Sequence, residues 1–119
     1  MGITTDMIRN VAVAGHGGTG KTSLVENMLF YGGAIAKPEL TDSGRTVSDY
    51  TDEEISQAMS IHTTLSHISW GDTKINIMDT PGLADFVGEV VASFRAAESA
   101  IMVVGAKAGV EIETIKLWR

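Results

Sequence analysis

Val11-Ala12-Val13-Ala14-Gly15-His16-Gly17-Gly18-Thr19-Gly20-Lys21-Thr22 is the stretch on which the fold turns. Its first four residues are an unbroken apolar run, as expected of a strand covered on both faces. The next eight match G-x-x-x-x-G-K-[ST] in full. Beyond them Leu24, Val25, Met28 and Leu29 recur at helical spacing through Lys21–Tyr31, with Ser23, Glu26 and Asn27 expected on the solvent side. The pair Gly32-Gly33 then supplies a stop signal. A strand, a glycine-rich turn and a helix in direct succession form a phosphate cradle. Backbone N–H groups of the turn converge on phosphate oxygens, and the helix adds its positive end. Lys21 supplies a full charge toward the β- and γ-phosphates, and the Thr22 hydroxyl a ligand for Mg²⁺. A glycine-rich turn with a chance lysine would need neither the strand before it nor the helix after it.

Working outward, Ala34 to Met59 is polar and rich in turn formers, a connection long enough to be functional or mobile. Ser60–Trp70 and Lys74–Met78 read as strands joined by the tight turn Gly71-Asp72, hence antiparallel neighbours. Phe86, Val87, Val90, Val91, Phe94 and Ala97 mark a second amphipathic helix. Ile101–Val104 reads as another doubly buried strand, Gly105–Gly109 as a loop, and Ile112–Arg119 as the beginning of a helix. This order predicts a three-layer α/β/α fold of the P-loop NTPase type, its sheet mostly parallel with one antiparallel hairpin strand at the edge. Trp70 and Trp118 are expected to pack, and His62 and His67 to lie on the strand surface. His16 is placed either on phosphate or against its neighbours.

Asp79-Thr80-Pro81-Gly82 follows the second hairpin strand. An aspartate at the carboxyl end of a strand beside a phosphate loop can hold a metal through water. The Gly82 N–H falls near the position of a terminal phosphate. Ser60, at the end of the polar connection, can close over Mg²⁺ and the γ-phosphate and so order that segment in the triphosphate state.

The remaining composition narrows the field. The chain has 119 residues and a formal charge of 9 − 15 = −6, an acidic balance unsuited to gripping DNA through a broad basic face. Without cysteine, thiolate metal sites, iron–sulfur clusters and cysteine nucleophiles are excluded. No run approaches the roughly 18 apolar residues of a membrane span, and Met1 to Asn10 lacks the features of a secretory signal. The expectation is a cytoplasmic protein that contacts neither membrane nor DNA directly.

Arg9-Asn10-Val11, Gly15-His16, Gly20-Lys21-Thr22, Leu29-Phe30-Tyr31, Asp79-Thr80-Pro81-Gly82 with Asp85-Phe86, Ala108-Gly109-Val110 and Trp118 together resemble the amino-terminal part of bacterial elongation factor G. The resemblance runs from Arg9 onward. It implies that residues 1–119 are a partial GTP-binding (G) domain, truncated before the N-K-x-D element that reads guanine. It further implies GTP and GDP as ligands, Mg²⁺ as cofactor, GTP hydrolysis as the reaction, and the ribosome as partner of the full-length protein. Carried over by position, Gly15 to Thr22 together with Asp79, Thr80, Pro81, Gly82 and Leu83 would contact nucleotide. Thr22, Ser60 and Asp79 would hold the metal, and Lys21 and Gly82 would act on the terminal phosphate. Three positions depart from that family's pattern: Leu83 stands where its catalytic histidine stands, Ser60 in place of a threonine, and Gly18 in place of an aspartate. They imply an elongation-factor-G-like branch, in which leucine can neither orient a water nor share its proton. A nucleotide switch with negligible turnover and an ATP-directed phosphate-loop enzyme are the competing readings. An incomplete domain is also expected to expose a sheet edge that invites pairing between chains.

Overall fold

The computed structural model describes residues 2–118, so Met1 and the last residue of the expected terminal helix, Arg119, lie outside the described residues. Strand β1 (Ile8–Ala14) runs through the interior of a four-stranded sheet. It is flanked by β3 (Thr73–Asp79) and β4 (Ser99–Met102), both parallel to it. Strand β2 (Thr64–Trp70) pairs antiparallel with β3, giving the order β2-β3-β1-β4. Trp70 pairs with Thr73 across Gly71-Asp72, and Gly71 takes φ +59°, the left-handed conformation that a two-residue hairpin turn demands.

Helix α1 (Lys21–Tyr31) lies on one face of the sheet. Val25 and Leu29 join Val13, Ile68 and Ile77 in the core, with Met28 and Ile75 at its margin. Each such side chain contributes roughly 1.5–3 kcal/mol on burial. Alternation along β1 turns Ala12 and Ala14 to the other face, where α3 (Val87–Ala96) sets the buried Val90 against the strand. Ala12, Val13 and Ala14 are wholly buried. The doubly covered strand, the layering and the antiparallel edge strand are therefore as the sequence predicts. Two short helices, α2 (Asp52–Gln57) and α4 (Ile112–Trp118), complete the set.

Several expectations are corrected. The segment from 34 to 59, read as a polar connection without a helix of its own, contains α2, capped by Thr51, and a single 3₁₀ turn at Thr41–Ser43. The hairpin's first strand begins at Thr64 rather than Ser60. β4 spans Ser99–Met102 instead of Ile101–Val104, and it is largely exposed rather than doubly buried. It is an edge strand, and four apolar residues in a row do not by themselves reveal whether a second strand covers them. Trp70 and Trp118, expected to pack, are 63% and 80% exposed. Val87 and Val91 likewise face outward, and of the expected apolar stripe only Val90 is fully buried, with Phe86, Phe94 and Ala97 partly so. Glu26, expected at the surface, is buried. No helix among the described residues is long and apolar enough to cross a membrane.

Candidate functional site

At the carboxyl ends of β1 and β3 a cleft of about 470 Å³ opens, within the size range of small-molecule sites. Its floor is His16, Gly17, Gly18, Gly20, Lys21 and Thr22, where β1 gives way to α1. Gly82 and Leu83, just beyond β3, form a second side. Thr41, Asp49, Ala58, Met59 and Ser60, from the segment between α1 and β2, form the third. Gly15, Thr19, Asp79, Thr80 and Pro81 do not line it: Asp79 is buried behind Thr22, and the Thr80 hydroxyl donates to the Val13 carbonyl at 2.8 Å and ties the end of β3 to β1.

The polar contacts around the cleft form a short chain. Lys21 Nζ donates to the His16 carbonyl at 2.8 Å, and Thr19 Oγ1 donates to the same oxygen at 2.8 Å. Thr22 Oγ1 donates to Asp79 Oδ2 at 2.9 Å and stands 3.4 Å from Ser60 Oγ. Ser60 Oγ in turn donates to Asp49 Oδ1 at 2.6 Å. Both hydroxyl protons are thus spent on carboxylates, and the Thr22 and Ser60 oxygens keep lone pairs free. The other oxygen of Asp79, Oδ1, is buried without a partner within hydrogen-bond distance, and so is the nearby Ser48 hydroxyl.

Burial dominates the electrostatics. It pushes the Asp79 carboxyl up, against the nearby hydroxyls of Ser48 and Thr22 and the charge of Lys21. It pushes the Lys21 ammonium down, against the attraction of Asp79. Each group is charged at a cost that a partner of opposite sign would remove. For lysine that partner is an anion; for aspartate it is a cation. The donors Thr22, Ser60 and Asp79 are all oxygens, which suits a hard ion such as Mg²⁺. Among the described residues no three His, Cys, Asp or Glu side chains cluster as a cage, so such an ion would take further oxygens from a bound phosphate.

Gly82 shows how closely the two sides of the cleft approach. A Cβ there would stand 2.6 Å from the Gly17 nitrogen and 2.7 Å from its Cα, and would also meet Lys21 Nζ. Only hydrogen fits. The His16 ring turns away to α4, with Nδ1 at 2.7 Å from Glu113 Oε2 and Nε2 at 3.5 Å from Glu111 Oε1.

Sequence reasoning missed three buried carboxylates that hold the third side. Asp49 carries Ser60. Glu26 accepts from the Val47 and Glu39 amides. Glu54 accepts from the amides of Tyr50, Thr51, Ile61 and His62 and from the Thr51 hydroxyl. Burial alone would raise the Glu54 carboxyl, but the amides of Ile61, His62 and Thr51 outweigh it and hold it below the usual carboxylate range. One signal was available. Thr51-Asp52-Glu53-Glu54 is a capping box.

The profile of the family described as Elongation factor Tu GTP binding domain matches residues 6–119. Ribosome-releasing factor 2, mitochondrial, of Debaryomyces hansenii is 40% identical over 117 residues, covering 98% of this chain and 14% of that protein. An elongation factor G-like protein of Mycobacterium tuberculosis is 39% identical over 112 residues, covering 94% and 16% respectively. The chain thus spans about one seventh of the length of these relatives. A crystal structure of a Thermus thermophilus protein superposes with a TM-score of 0.90 at 37% identity, covering 94% of this chain and 17% of that one. That of a bacterial selenocysteine-specific elongation factor superposes with a TM-score of 0.74 at 26% identity, covering 93% and 17%.

Proposed function

The chain belongs to the elongation factor Tu GTP binding domain family, and from that premise we propose that it binds GTP and GDP with Mg²⁺ as part of an elongation-factor-G-like protein acting on the ribosome. The names of the Debaryomyces and Mycobacterium relatives support that branch and that partner. Above all, the reading is supported by Thr22, whose hydroxyl is pinned to Asp79 at the foot of the loop that carries Lys21, while the second Asp79 oxygen stays buried and unpartnered.

In this reading the amides from Gly15 to Thr22 bind the phosphates. Lys21 leaves the His16 carbonyl for the β- and γ-phosphate oxygens. Thr22, Ser60 and Asp79 hold Mg²⁺, which when bound neutralises charge on the phosphate oxygens. The Gly82 amide reaches the terminal phosphate, and Thr80 and Pro81 act by fixing Gly82 in place. Hydrolysis is in-line attack of water on the γ-phosphorus with cleavage of the bond to the β–γ bridging oxygen, so that GDP leaves and inorganic phosphate is formed. Lys21 and the loop amides stabilise the developing charge. Leu83 stands at the cleft beside Gly17 and offers no group to orient that water. This favours slow turnover and gives a second reading, a nucleotide switch with negligible hydrolysis. The compartment in this proposal is the cytoplasm.

Calorimetric titration of the full-length protein with GTPγS, GDP and ATP, with and without Mg²⁺, tests the binding. Guanine nucleotides bind and ATP does not, and Lys21→Ala weakens GTPγS by about a hundredfold or more while the circular dichroism spectrum stays unchanged. Equal affinity for ATP would sink the guanine assignment, and an inert Lys21→Ala would sink the phosphate loop. Single-turnover hydrolysis with ribosomes then separates enzyme from switch. A wild-type rate matching that of Leu83→His removes the switch-only reading.

A further inference from the structure

Glu26 is the anomaly of α1. Its helical neighbours Ser23 and Asn27 are exposed, yet it is 1% exposed itself. Among the described residues no Lys, Arg or His lies within ion-pair distance of it. Its carboxylate is satisfied by backbone alone: Oε1 accepts from the Val47 amide at 2.6 Å and Oε2 from the Glu39 amide at 3.0 Å. These are charge-assisted bonds of the stronger kind, and they reach 13 and 21 residues along the chain.

Within the segment they hold, residues 39–47, the other hydrogen bonds are local, and the next tie to the sheet comes after it, where the Thr64 hydroxyl of β2 donates to the Ser48 carbonyl at 2.9 Å. Leu40, Val47, Tyr50 and Ile55 are all exposed, so apolar packing does not fasten it to the sheet. Thr22 lies one helical turn before Glu26 on the same face of α1, and it is the residue bonded to Asp79. Asp49 follows Val47 by two residues and holds Ser60 at 2.6 Å. One face of one helix therefore carries both the floor of the cleft at Thr22 and the tether of its third side at Glu26.

We infer that Glu26 is a positioning residue that docks residues 39–47 onto α1, thereby setting where Asp49 and Ser60 stand over Thr22 and giving the site its preference for triphosphate over diphosphate. This rests on the nucleotide-binding reading above. Docking acts on the side of the cleft that carries Ser60. The floor amides and Lys21, common to both nucleotides, are left untouched.

The test compares wild-type, Glu26→Ala and Glu26→Gln full-length proteins by two readouts. One is amide hydrogen exchange without nucleotide; the other is affinity for GTPγS and for GDP with Mg²⁺. Glutamine keeps the size of glutamate but offers one acceptor oxygen to two amides. Both variants should exchange about tenfold faster across residues 39–49, with β1 unchanged. GTPγS affinity should fall about tenfold in Glu26→Ala, with GDP affinity within about twofold, and Glu26→Gln should fall between Ala and wild type. Unchanged exchange, equal weakening of both nucleotides, or a glutamine variant identical to wild type would each overturn the inference. If Glu26→Ala does not fold, Glu26→Gln decides alone. A wild-type protein that binds neither nucleotide refutes the nucleotide reading and the triphosphate preference together, whereas the exchange arm still decides the docking separately.

Discussion

Two sides of one cleft are built by different physics. The floor grows out of β1 and α1, where Val13, Val25, Leu29 and Ile77 are buried together, and the loop between is held by the Thr19 and Lys21 side chains, which both donate to the His16 carbonyl. The side formed by residues 39–60 has few apolar anchors and hangs mainly on three carboxylates, Glu26, Asp49 and Glu54, with one further tie from the Thr64 hydroxyl to the Ser48 carbonyl. Hydrophobic burial is non-directional and hard to undo locally. A carboxylate collar is directional, and each element of it opens when one acceptor is lost. The contrast gives a cleft with one side that stays and one that can be released, as a site that distinguishes two states of a ligand needs.

The largest effect expected from breaking this contrast is at Glu54. Its two oxygens take five donors, and Glu54→Ala strips the acceptor from all of them at once. A fully buried donor left unpaired costs about 1–3 kcal/mol; these are part-buried, so each costs less, and the segment opens before the sum is reached. Local opening of residues 50–62 should become easier by about 3 kcal/mol, read as exchange about a hundredfold faster there, with β1 and β3 unaltered. Uniform acceleration across the sheet would show that the two sides are not separately stabilised. The same carboxylate sets a pH dependence. Its value is depressed on folding, so its contribution is complete above the titration of a free glutamate, near pH 4.3, and is lost as pH falls through the lower folded value. Exchange at residues 50–62 measured from pH 6 down to about pH 3, corrected for intrinsic rates, should show protection lost there before it is lost in β1.

A smaller effect is expected where the floor meets the end of β3. Gly82→Ala drives a Cβ into the Gly17 backbone, which is no flexible side chain that could swing aside. The overpacking should lower global stability by about 1–3 kcal/mol, measured by urea unfolding. It should also weaken GTPγS binding while leaving exchange at residues 50–62 unchanged. A neutral Gly82→Ala would mean that this side also yields.

The same division decided what the sequence disclosed. The floor was legible because its signals are local: an apolar run for β1, the spacing of Gly15, Gly20, Lys21 and Thr22, and Gly71-Asp72 for the hairpin. The tethered side was not, because its bonds join residues far apart in the chain. Glu26 is assigned to solvent when the apolar spacing is read through Leu24, Val25, Met28 and Leu29, whereas the buried face of α1 is Thr22, Val25, Glu26 and Leu29, and Leu24 is exposed. Its partners at Glu39 and Val47 leave no trace in helical periodicity. Helix α2, six residues long, is too short for an apolar period; only its capping box betrays it. β4 was misjudged for a different reason. Its apolar residues look alike whether a neighbouring strand covers them or not.

Ala58 offers the finest test. It is the one non-glycine at positive φ among the described residues, at φ +50° and ψ +42°, and it turns the chain from the end of α2 toward Met59 and Ser60. Alanine in that conformation is strained by about 1 kcal/mol, because its Cβ crowds the following carbonyl. The turn persists because Glu54 over-determines it: the Glu54 carbonyl accepts the Met59 amide at 3.2 Å, while its side chain accepts those of Ile61 and His62. Ala58→Gly removes the Cβ and keeps every bond, so opening of residues 50–62 should become harder by up to about 1 kcal/mol, less what glycine gains in the unfolded chain. Exchange there should slow by about threefold, and β1 should not respond. If β1 slows equally, the strain is shared with the sheet, and the two sides of the cleft are one cooperative unit.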